Sequence, residues 1–254
     1  MISKNDLKYY SSLLIKKYRM QEEKFLVEGL KIVEEGLNSN YNNEAVFVTP
    51  AFAESFPEVI SVISKKVNTV LELKSIEFQK ISDTKSPQGI AAVFDKKYPK
   101  RSLSEIKDDI LVLIDNVSDP GNLGTILRTC DWFGIYNVLL TNESVEYLNP
   151  KVIRSSMGSV FHLNIYDDVF ENDIIDLKSS GYKIISSDIK GKNVFNFKLD
   201  SKSILVFSNE STGPSDRIKE LADNMISIPG RGRAESLNVS TAAAIIISKF
   251  INES

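Results

Sequence analysis

Residues 203–250 read SILVFSNESTGPSDRIKELADNMISIPGRGRAESLNVSTAAAIIISKF. A short apolar run at 204–207 ends in a polar turn, and a second run at 225–228 ends in a polar loop that leads into a helix rich in Ala and Ile. Short apolar runs bounded by polar turns are typical of strands in an α/β sheet. Because ligands of open α/β sheets bind outside the carboxyl ends of the strands, these two loops predict a ligand site.

The chain upstream of this stretch alternates apolar runs with helical patterns. Further strands are predicted at 110–114, 138–140, 161–165 and 183–187, and helices at 125–133, from 149 onward and at about 168–180. The unbroken apolar run 110–114 is typical of a strand buried on both faces of a parallel sheet. The repeated β-α-β-α order therefore predicts a mostly parallel sheet with helices on both faces.

The first half of the chain has a separate α/β pattern. Helices are predicted at 4–18, at 28–37, after Pro50 and at 72–81, and strands at 45–49, 59–63 and 90–94. The segment 95–102 is polar, charged and contains a proline, which is typical of a linker. We therefore predict two domains, residues 1–95 and 108–254, joined by a linker at 96–107.

The composition narrows the class of protein. It is 42% hydrophobic and 26% charged over 254 residues, as in a folded globular protein. No apolar run is long enough to span a membrane, and the N-terminal residues MISKNDLKYY lack the hydrophobic segment of an export signal, so we expect a cytoplasmic protein. Cys130 is the only cysteine and His162 the only histidine, which excludes an internal disulfide and a cysteine-based zinc cluster and disfavours a Ser-His-Asp triad.

The charge distribution does not decide whether the protein binds RNA. The net charge of −3 does not indicate a nucleic-acid-binding protein. Residues 1–31 nevertheless carry seven Lys and Arg against four Asp and Glu, and residues 65–107 carry ten against five. Interleaved aromatic residues such as Tyr9, Tyr10 and Tyr18 are compatible with contacts to RNA phosphates and bases, and equally with an ordinary solvated surface.

Polar side chains in three loops are candidates for chemistry. In DNVSDPGNLGTILRTCDWFGI, residues 115–135, Arg128 could hold a phosphate or a developing anion, or it could pair with Asp131 or Asp119 on the helix surface. Glu210 follows a buried strand, where a carboxylate needs a partner, and we expect that partner to be Arg128; capping of the next helix is the alternative. In SLNVS, residues 236–240, a polar side chain is expected to cap the final helix.

These segments together resemble a known family. DNVSDPGNLGTILRTCDWFG, LVFSNESTGPS and ISIPGRGRAESLNVSTAAAI are similar to the three motifs of the SpoU (also called TrmH) RNA ribose 2′-O-methyltransferases, within the SPOUT superfamily. PKVIRSSMGSVFHL is similar to the family's sequence before its next strand, and KKYRMQEEKFLVEGLKIVEEGL and KISDTKSPQGIAAVF resemble the substrate-binding domain that precedes many such enzymes. The resemblance covers nearly the whole chain, and three motifs in this order are far more specific than any one of them.

The resemblance implies a fold and a site. It implies a small α/β RNA-binding domain followed by an α/β SPOUT domain, in which the C-terminal segment threads a loop to form a deep trefoil knot. S-adenosylmethionine would bind there, mainly to the backbone, at Ser208, Asn209, Glu210, Ile228, Gly230 and Leu237. The family's catalytic positions correspond to Asn122, Arg128, Glu210, Ser236 and Asn238. Ser208 and Ser211 stand where the second motif usually has glycine, and Ser208 could narrow the adenosine pocket.

The implied reaction is attack of a ribose 2′-hydroxyl of RNA, most readily ribosomal RNA, on the methyl carbon of the sulfonium. Its leaving group is neutral, so we expect no metal. Arg128 would act either as a phosphate clamp and alkoxide stabiliser or as a true base, which is unusual for a guanidinium. Transfer RNA as substrate, methylation of a base, and a non-catalytic RNA-binding or ribosome-assembly protein are the alternatives; a resistance methyltransferase is a special case of the first interpretation. The resemblance also implies a homodimer.

Overall fold

We describe a computed structural model of the chain, which covers residues 2–99, 102–199, 202–209 and 211–252. Its helices are α1 (Lys4–Ser12), α2 (Lys16–Glu22), α3 (Leu30–Asn38), α4 (Pro50–Ser55), α5 (Pro57–Lys66), α6 (Ser75–Ile81), α7 (Pro120–Trp132), α8 (Pro150–Ser156), α9 (Glu171–Ser179), α10 (Asp216–Leu221) and α11 (Val239–Ile251). Its strands are β1 (Lys24–Glu28), β2 (Asn43–Val48), β3 (Val70–Glu72), β4 (Ile90–Asp95), β5 (Ile110–Asp115), β6 (Asn137–Thr141), β7 (Asn164–Val169), β8 (Lys183–Asn193), β9 (Ser203–Ser208) and β10 (Asn224–Ser227). No described helix combines the length and apolarity needed to cross a membrane.

Backbone contacts divide the chain into two units. The first consists of Met1–Lys97 together with Leu148–Phe161, and the second of Tyr98–Tyr147 together with His162–Ser254. The first unit is therefore discontinuous in sequence, because α8 and the 3₁₀ helix Ser159–Phe161 pack with it although they lie between β6 and β7 along the chain.

A four-stranded mixed sheet organises the first unit. Its strand order is β1-β4-β2-β3, with β4 antiparallel to both β1 and β2, and β2 parallel to β3. The apolar residues of β4, Ile90 to Phe94, are fully buried, as expected for a central strand. On one side of the sheet, helices α1 and α6 contact each other over a core that includes Leu13, Phe47 and Phe78.

An aromatic cluster closes the first unit. The ring of Phe161 lies 5.9 Å from that of Phe25, 5.1 Å from that of Phe94 and 5.1 Å from that of Tyr41, measured between centroids. A Cβ atom at Gly36 would stand 2.5 Å from the Phe94 ring, so only glycine fits at this point of α3. Phe161 therefore belongs to a core and not to the strand predicted at 161–165, which begins only at Asn164.

Two predictions for the first unit are wrong. The β-branched run 59–63 is not a strand, since it lies in α5, which begins with Pro57 at its first position and ends with lysines. Both features are helix signals that outweigh the weak strand preference of Val and Ile. The helix predicted at 4–18 is two helices, α1 and α2, separated by a turn around Leu13, whose carbonyl accepts a 2.8 Å hydrogen bond from the buried Arg19.

The second unit contains a six-stranded sheet of order β10-β8-β9-β5-β6-β7. Every pairing in it is parallel, which confirms the mostly parallel α/β sheet predicted from the sequence. Leu111 to Ile114 in β5 are fully buried, in agreement with an apolar run covered on both faces. Helix α11 packs against α7, so the last helix of the chain lies next to the helix that follows the first strand of this sheet.

Candidate active site

The strand order of the second sheet reverses between β5 and β9. From β5 the chain continues to β6 and β7 on one side, whereas β9, β8 and β10 lie on the other. Asp115 at the carboxyl end of β5 pairs in register with Ser208 at the carboxyl end of β9. In open α/β sheets the ligand crevice lies outside the carboxyl ends of the strands at such a switch point. The loops after β5, β9 and β10 are therefore expected to form the site.

A buried carboxylate lies at this switch point. Asp115 is 1% exposed and accepts hydrogen bonds from Ser208 Oγ at 3.2 Å, from the backbone N–H of Ser215 at 2.9 Å and from Ser215 Oγ at 3.2 Å. The sequence patterns single out neither Asp115 nor Ser215. The available signal was a carboxylate at the end of a fully apolar strand, where an anion needs hydrogen-bond partners.

The loop after β9 forms a tight turn. Asn209 Oδ1 accepts a hydrogen bond from the Ser211 backbone N–H at 2.9 Å, and the Asn209 carbonyl accepts one from Gly213 at 2.8 Å. Gly213 has a φ of +67°, which favours glycine. Glu210 lies outside the described residues, so its expected pairing with Arg128 stays a prediction.

A direct hydrogen bond joins the first and third motif segments. Asn238 Nδ2 donates to Asn122 Oδ1 at 2.9 Å, although the two residues are 116 positions apart. Asn238 Oδ1 accepts from the backbone N–H of Ser240 at 2.9 Å and caps α11, while Asp119 Oδ1 accepts from the Asn122 N–H at 2.9 Å and caps α7. The start of α7 and the start of α11 are thus held together by two of the predicted catalytic residues.

Arg128 lies on the exposed side of α7. It forms no hydrogen bond or ion pair within the part of the chain that the structure describes. The surface partners considered from the sequence have other contacts: Asp131 meets His162 Nδ1 at 2.8 Å, and Asp119 caps the helix. The Arg128 side chain is therefore exposed, and none of the described residues pairs with its guanidinium.

The loop after β10 carries the remaining predicted residues. Ile228 is half-buried, Gly230 and Ser236 are exposed, and Leu237 is 44% exposed. Residues 229–237 form no backbone–backbone hydrogen bond with any described residue, and a Cβ at Gly230 would meet nothing within 4 Å. The backbone N–H and C=O groups of this exposed loop, together with the exposed Leu237 side chain, are accessible to a ligand with polar edges and an apolar face.

Metal ligands and a reactive thiol were also sought among the described residues of this unit. Among the described residues, no group of three or more His, Cys, Asp or Glu side chains is arranged to hold a metal ion. Cys130 lies on the buried side of α7, and its burial raises the pKa of the thiol, so it is not a ready nucleophile.

No hydrogen bond among the described residues joins Arg128 or Ser236 to the other candidate residues.

A parallel α/β sheet with polar loops outside the carboxyl ends of its strands is the architecture of α/β enzymes that bind a ligand at the switch point. The sequence matches the SpoU rRNA Methylase family over residues 109–248 and the MRM3-like substrate binding domain over residues 4–92. The chain belongs to the SpoU rRNA methylase family, as the resemblance of its motifs indicated.

Similar proteins cover nearly the whole length of the chain. The 23S rRNA (guanosine(2553)-2′-O)-methyltransferase RlmP of Bacillus subtilis is 31% identical over 242 residues, which are 95% of this chain and 94% of that protein. An AdoMet-bound rRNA methyltransferase from Sinorhizobium meliloti has a TM-score of 0.84 at 26% identity and covers 98% of this chain and 95% of its own. The SpoU methyltransferase AviRb from Streptomyces viridochromogenes, with AdoMet, has a TM-score of 0.89 at 22% identity over 99% and 98%, and so supports the fold.

Proposed function

We propose that this protein transfers a methyl group from S-adenosylmethionine to a ribose 2′-hydroxyl of ribosomal RNA. The observation that carries the proposal is the Asn238–Asn122 hydrogen bond. It joins two family motifs, which follow the carboxyl ends of strands β5 and β10 in the chain. The enzyme class and the cofactor expected from the sequence are confirmed by family membership and by relatives solved with AdoMet. The relatives named as 23S rRNA methyltransferases support ribosomal RNA over transfer RNA.

The loops after β9 and β10 would hold the cofactor. The residues proposed to bind it are Ser208, Asn209, Glu210, Ile228, Gly230 and Leu237. When bound, S-adenosylmethionine supplies an electrophilic methyl group on a positively charged sulfur. The exposed backbone groups of residues 229–237 would bind the polar edges of its nucleoside, and the exposed Leu237 side chain would cover an apolar face.

The residues on α7 and at the start of α11 would orient the RNA. A guanidinium stays protonated and binds phosphate through a planar fork, so we assign Arg128 the role of clamping an RNA phosphate and stabilising the attacking oxygen. Asn122 and Asn238 hold the beginnings of the two helices in one position. Ser236 and Glu210 complete the proposed set, with Glu210 as a candidate acceptor of the hydroxyl proton. Arg128 as the base itself remains the alternative.

The quaternary state and several finer features are also part of the proposal. We infer a homodimer because α11, with Lys249 as its only charged residue, is apolar around most of its circumference and yet leaves Ala242 and Ile245 half-exposed. Trp132 on α7 is 81% exposed, an unusual position for the only tryptophan unless a second copy covers it. We further propose a threaded C-terminal segment, an RNA-binding role for residues 1–95 and a cytoplasmic location.

Methylation assays test the function directly. Ribosomal RNA from cells with and without the protein is mapped for 2′-O-methyl groups, and the purified protein is given the unmodified RNA with S-adenosylmethionine. We expect one site to be missing in the cells and restored in vitro. Arg128→Ala should lose methyl transfer but retain cofactor binding, and Arg128→Lys should recover little because it lacks the planar fork. Near-normal turnover of Arg128→Ala would refute the role of the arginine, and an unchanged methylation map would refute the substrate.

A transfer-RNA site in the same map would favour that alternative. Wild-type protein that binds no S-adenosylmethionine in calorimetry would instead favour a non-catalytic RNA-binding protein with this fold.

A further inference from the structure

The carboxylate of Asp115 contacts both ends of the loop after β9. Ser208 is the last residue of β9, and Ser215 is the residue that caps α10. Their side chains both donate to Asp115, at 3.2 Å each, and the Ser215 backbone adds a 2.9 Å bond. The loop 209–214 between them is therefore held at its entry and at its exit by one side chain of a different strand.

This carboxylate is held by neutral donors alone. Asp115 is 1% exposed and forms no ion pair within the described part of the chain. A buried anion without a cation is costly unless hydrogen bonds stabilise the charged form, and hydrogen bonds to a charged group are stronger than neutral ones. These three hydrogen bonds are what stabilises the buried charge among the described residues, so loss of any one of them weakens the restraint on the loop.

The loop that Asp115 restrains is one that the proposed function needs. It begins with Asn209, whose carbonyl and side chain are already used in the tight turn to Gly213 and Ser211, and it contains Glu210. Ser208 stands where the family's second motif usually has glycine. In this chain its hydroxyl is directed to the carboxylate of Asp115, which gives the loop an additional anchor at its entry.

We propose that Asp115 is a positioning residue for methyl transfer, and that with Ser208 and Ser215 it fixes the loop 209–214 in the form that binds S-adenosylmethionine. The proposal rests on the proposed function. Asp115 touches neither the reacting atoms nor the RNA; it sets the backbone that the cofactor meets, and so acts chiefly on cofactor binding.

Two variants and one matched control test this role. Asp115→Asn keeps the size of the side chain but removes its charge, so the two serine hydroxyls and the Ser215 N–H lose their charged acceptor and the hydrogen bonds to it weaken. Ser208→Ala removes one donor and leaves the carboxylate. Ser186→Ala is the control, because Ser186 is a buried serine on the neighbouring strand β8 whose hydroxyl has no partner among the described residues. Each protein is measured for amide hydrogen exchange without ligand, for S-adenosylmethionine binding by calorimetry and for the steady-state kinetics of methyl transfer.

We expect faster exchange in peptides covering residues 208–215 of both Asp115→Asn and Ser208→Ala, already in the absence of cofactor. Their Kd and KM for S-adenosylmethionine should rise about tenfold or more, the size expected for loss of a hydrogen bond to a charged group, while kcat and the KM for RNA change less. A protein that carries both changes should be little worse than Asp115→Asn, because both act on the same Ser208–Asp115 hydrogen bond. Ser186→Ala should match the wild type.

The proposal is overturned if both variants lower the melting temperature but leave loop exchange and cofactor affinity unchanged. Should Asp115→Asn not fold, the same measurements on Ser208→Ala alone decide between the two outcomes. Failure of the proposed function would look different, because the wild type itself would then not bind S-adenosylmethionine while the exchange experiment would still report on Asp115.

Discussion

Replacing Asn238 separates two roles that one side chain performs in the structure. Its Oδ1 accepts the backbone N–H of Ser240 at 2.9 Å and caps α11, and its Nδ2 donates to Asn122 Oδ1 at 2.9 Å. Asn238 Oδ1 also accepts from Ser240 Oγ at 2.6 Å, and Asn238→Ala removes all three hydrogen bonds. Asn238→Asp retains the acceptor and places a negative charge at a helix N-terminus, where it is favourable, but cannot donate to Asn122.

The expected magnitudes follow from these contacts. Loss of an N-cap side chain costs about 1 kcal/mol, and loss of a neutral, solvent-accessible hydrogen bond about 0.5–1 kcal/mol. Asn238→Ala should therefore lower the free energy of unfolding by about 1.5–2 kcal/mol. Asn238→Asp should lower it by no more than about 1 kcal/mol, because it retains the cap. Methyl transfer should fall in both variants, since neither can donate to Asn122 Oδ1 as Asn238 Nδ2 does.

Urea unfolding gives the two free energies, and single-turnover methylation gives the rates. Asn122→Ala serves as the matched control, because it removes the other partner of the same bond without touching the cap of α11. Its loss of activity should resemble that of Asn238→Asp. Full activity in Asn238→Asp would contradict the reasoning, since the Asn122 bond would then not matter to the site. Equal stability of the Ala and Asp variants would show that the cap contributes nothing.

Three further predictions concern side chains that are buried or partly buried. Because burial raises the pKa of its thiol, Cys130 should resist a thiol reagent at neutral pH in the folded protein and react once urea unfolds it; rapid labelling under native conditions would contradict its burial. Burial raises the pKa of Tyr182 to about 12, and its hydroxyl donates to a backbone carbonyl at 2.7 Å. The fold favours the neutral phenol. The stability that this adds is fully present below the unfolded pKa of about 10 and is lost as the pH rises through the folded pKa. Tyr182→Phe should therefore lower stability by about 1 kcal/mol and flatten the alkaline limb of a stability–pH profile. For Asp223, burial raises the pKa, but the Ile184 backbone N–H and the Lys178 ammonium outweigh it and the net pKa is lowered. Its contribution is present above the unfolded pKa of about 4 and lost as pH falls through the folded value, so Asp223→Asn should weaken the protein at neutral pH and reduce its loss of stability in acid.

The parallel sheet could be predicted because each of its signals lies within a short stretch of sequence. An unbroken apolar run such as 110–114 has to be buried on both faces wherever it lies, and polar loops at strand ends meet at one edge of a parallel sheet. The same local evidence failed at 59–63, where β-branched residues form α5. Only Ile63 of that run is buried, so the helix signals at both ends decided the outcome against a strand preference that depends on packing.

Contacts between distant segments could not be predicted in this way. Asn122 and Asn238 are each candidates by residue type, but nothing in a pattern of residue types specifies that they bond to each other. Asp115 was not predicted as a site residue. The reasoning applied to Glu210, a carboxylate after a buried strand, fits Asp115 equally well. Asp115 is the last residue of its strand and not part of a polar loop. Its hydrogen-bond partners Ser208 and Ser215 are 93 and 100 positions away in the sequence, so no local pattern connects them to it.

The division of the first unit between Met1–Lys97 and Leu148–Phe161 bears on how the chain is made. A ribosome delivers the N-terminal segment first, and domains that are continuous in sequence can fold as they emerge. This unit cannot finish then, because the ring that sits among Phe25, Phe94 and Tyr41 belongs to Phe161. Until some sixty further residues have been synthesised, its aromatic surface stays open to water and to other chains. A fragment that ends at Lys97 should consequently bind hydrophobic dyes and aggregate, and addition of residues 148–161 should suppress both.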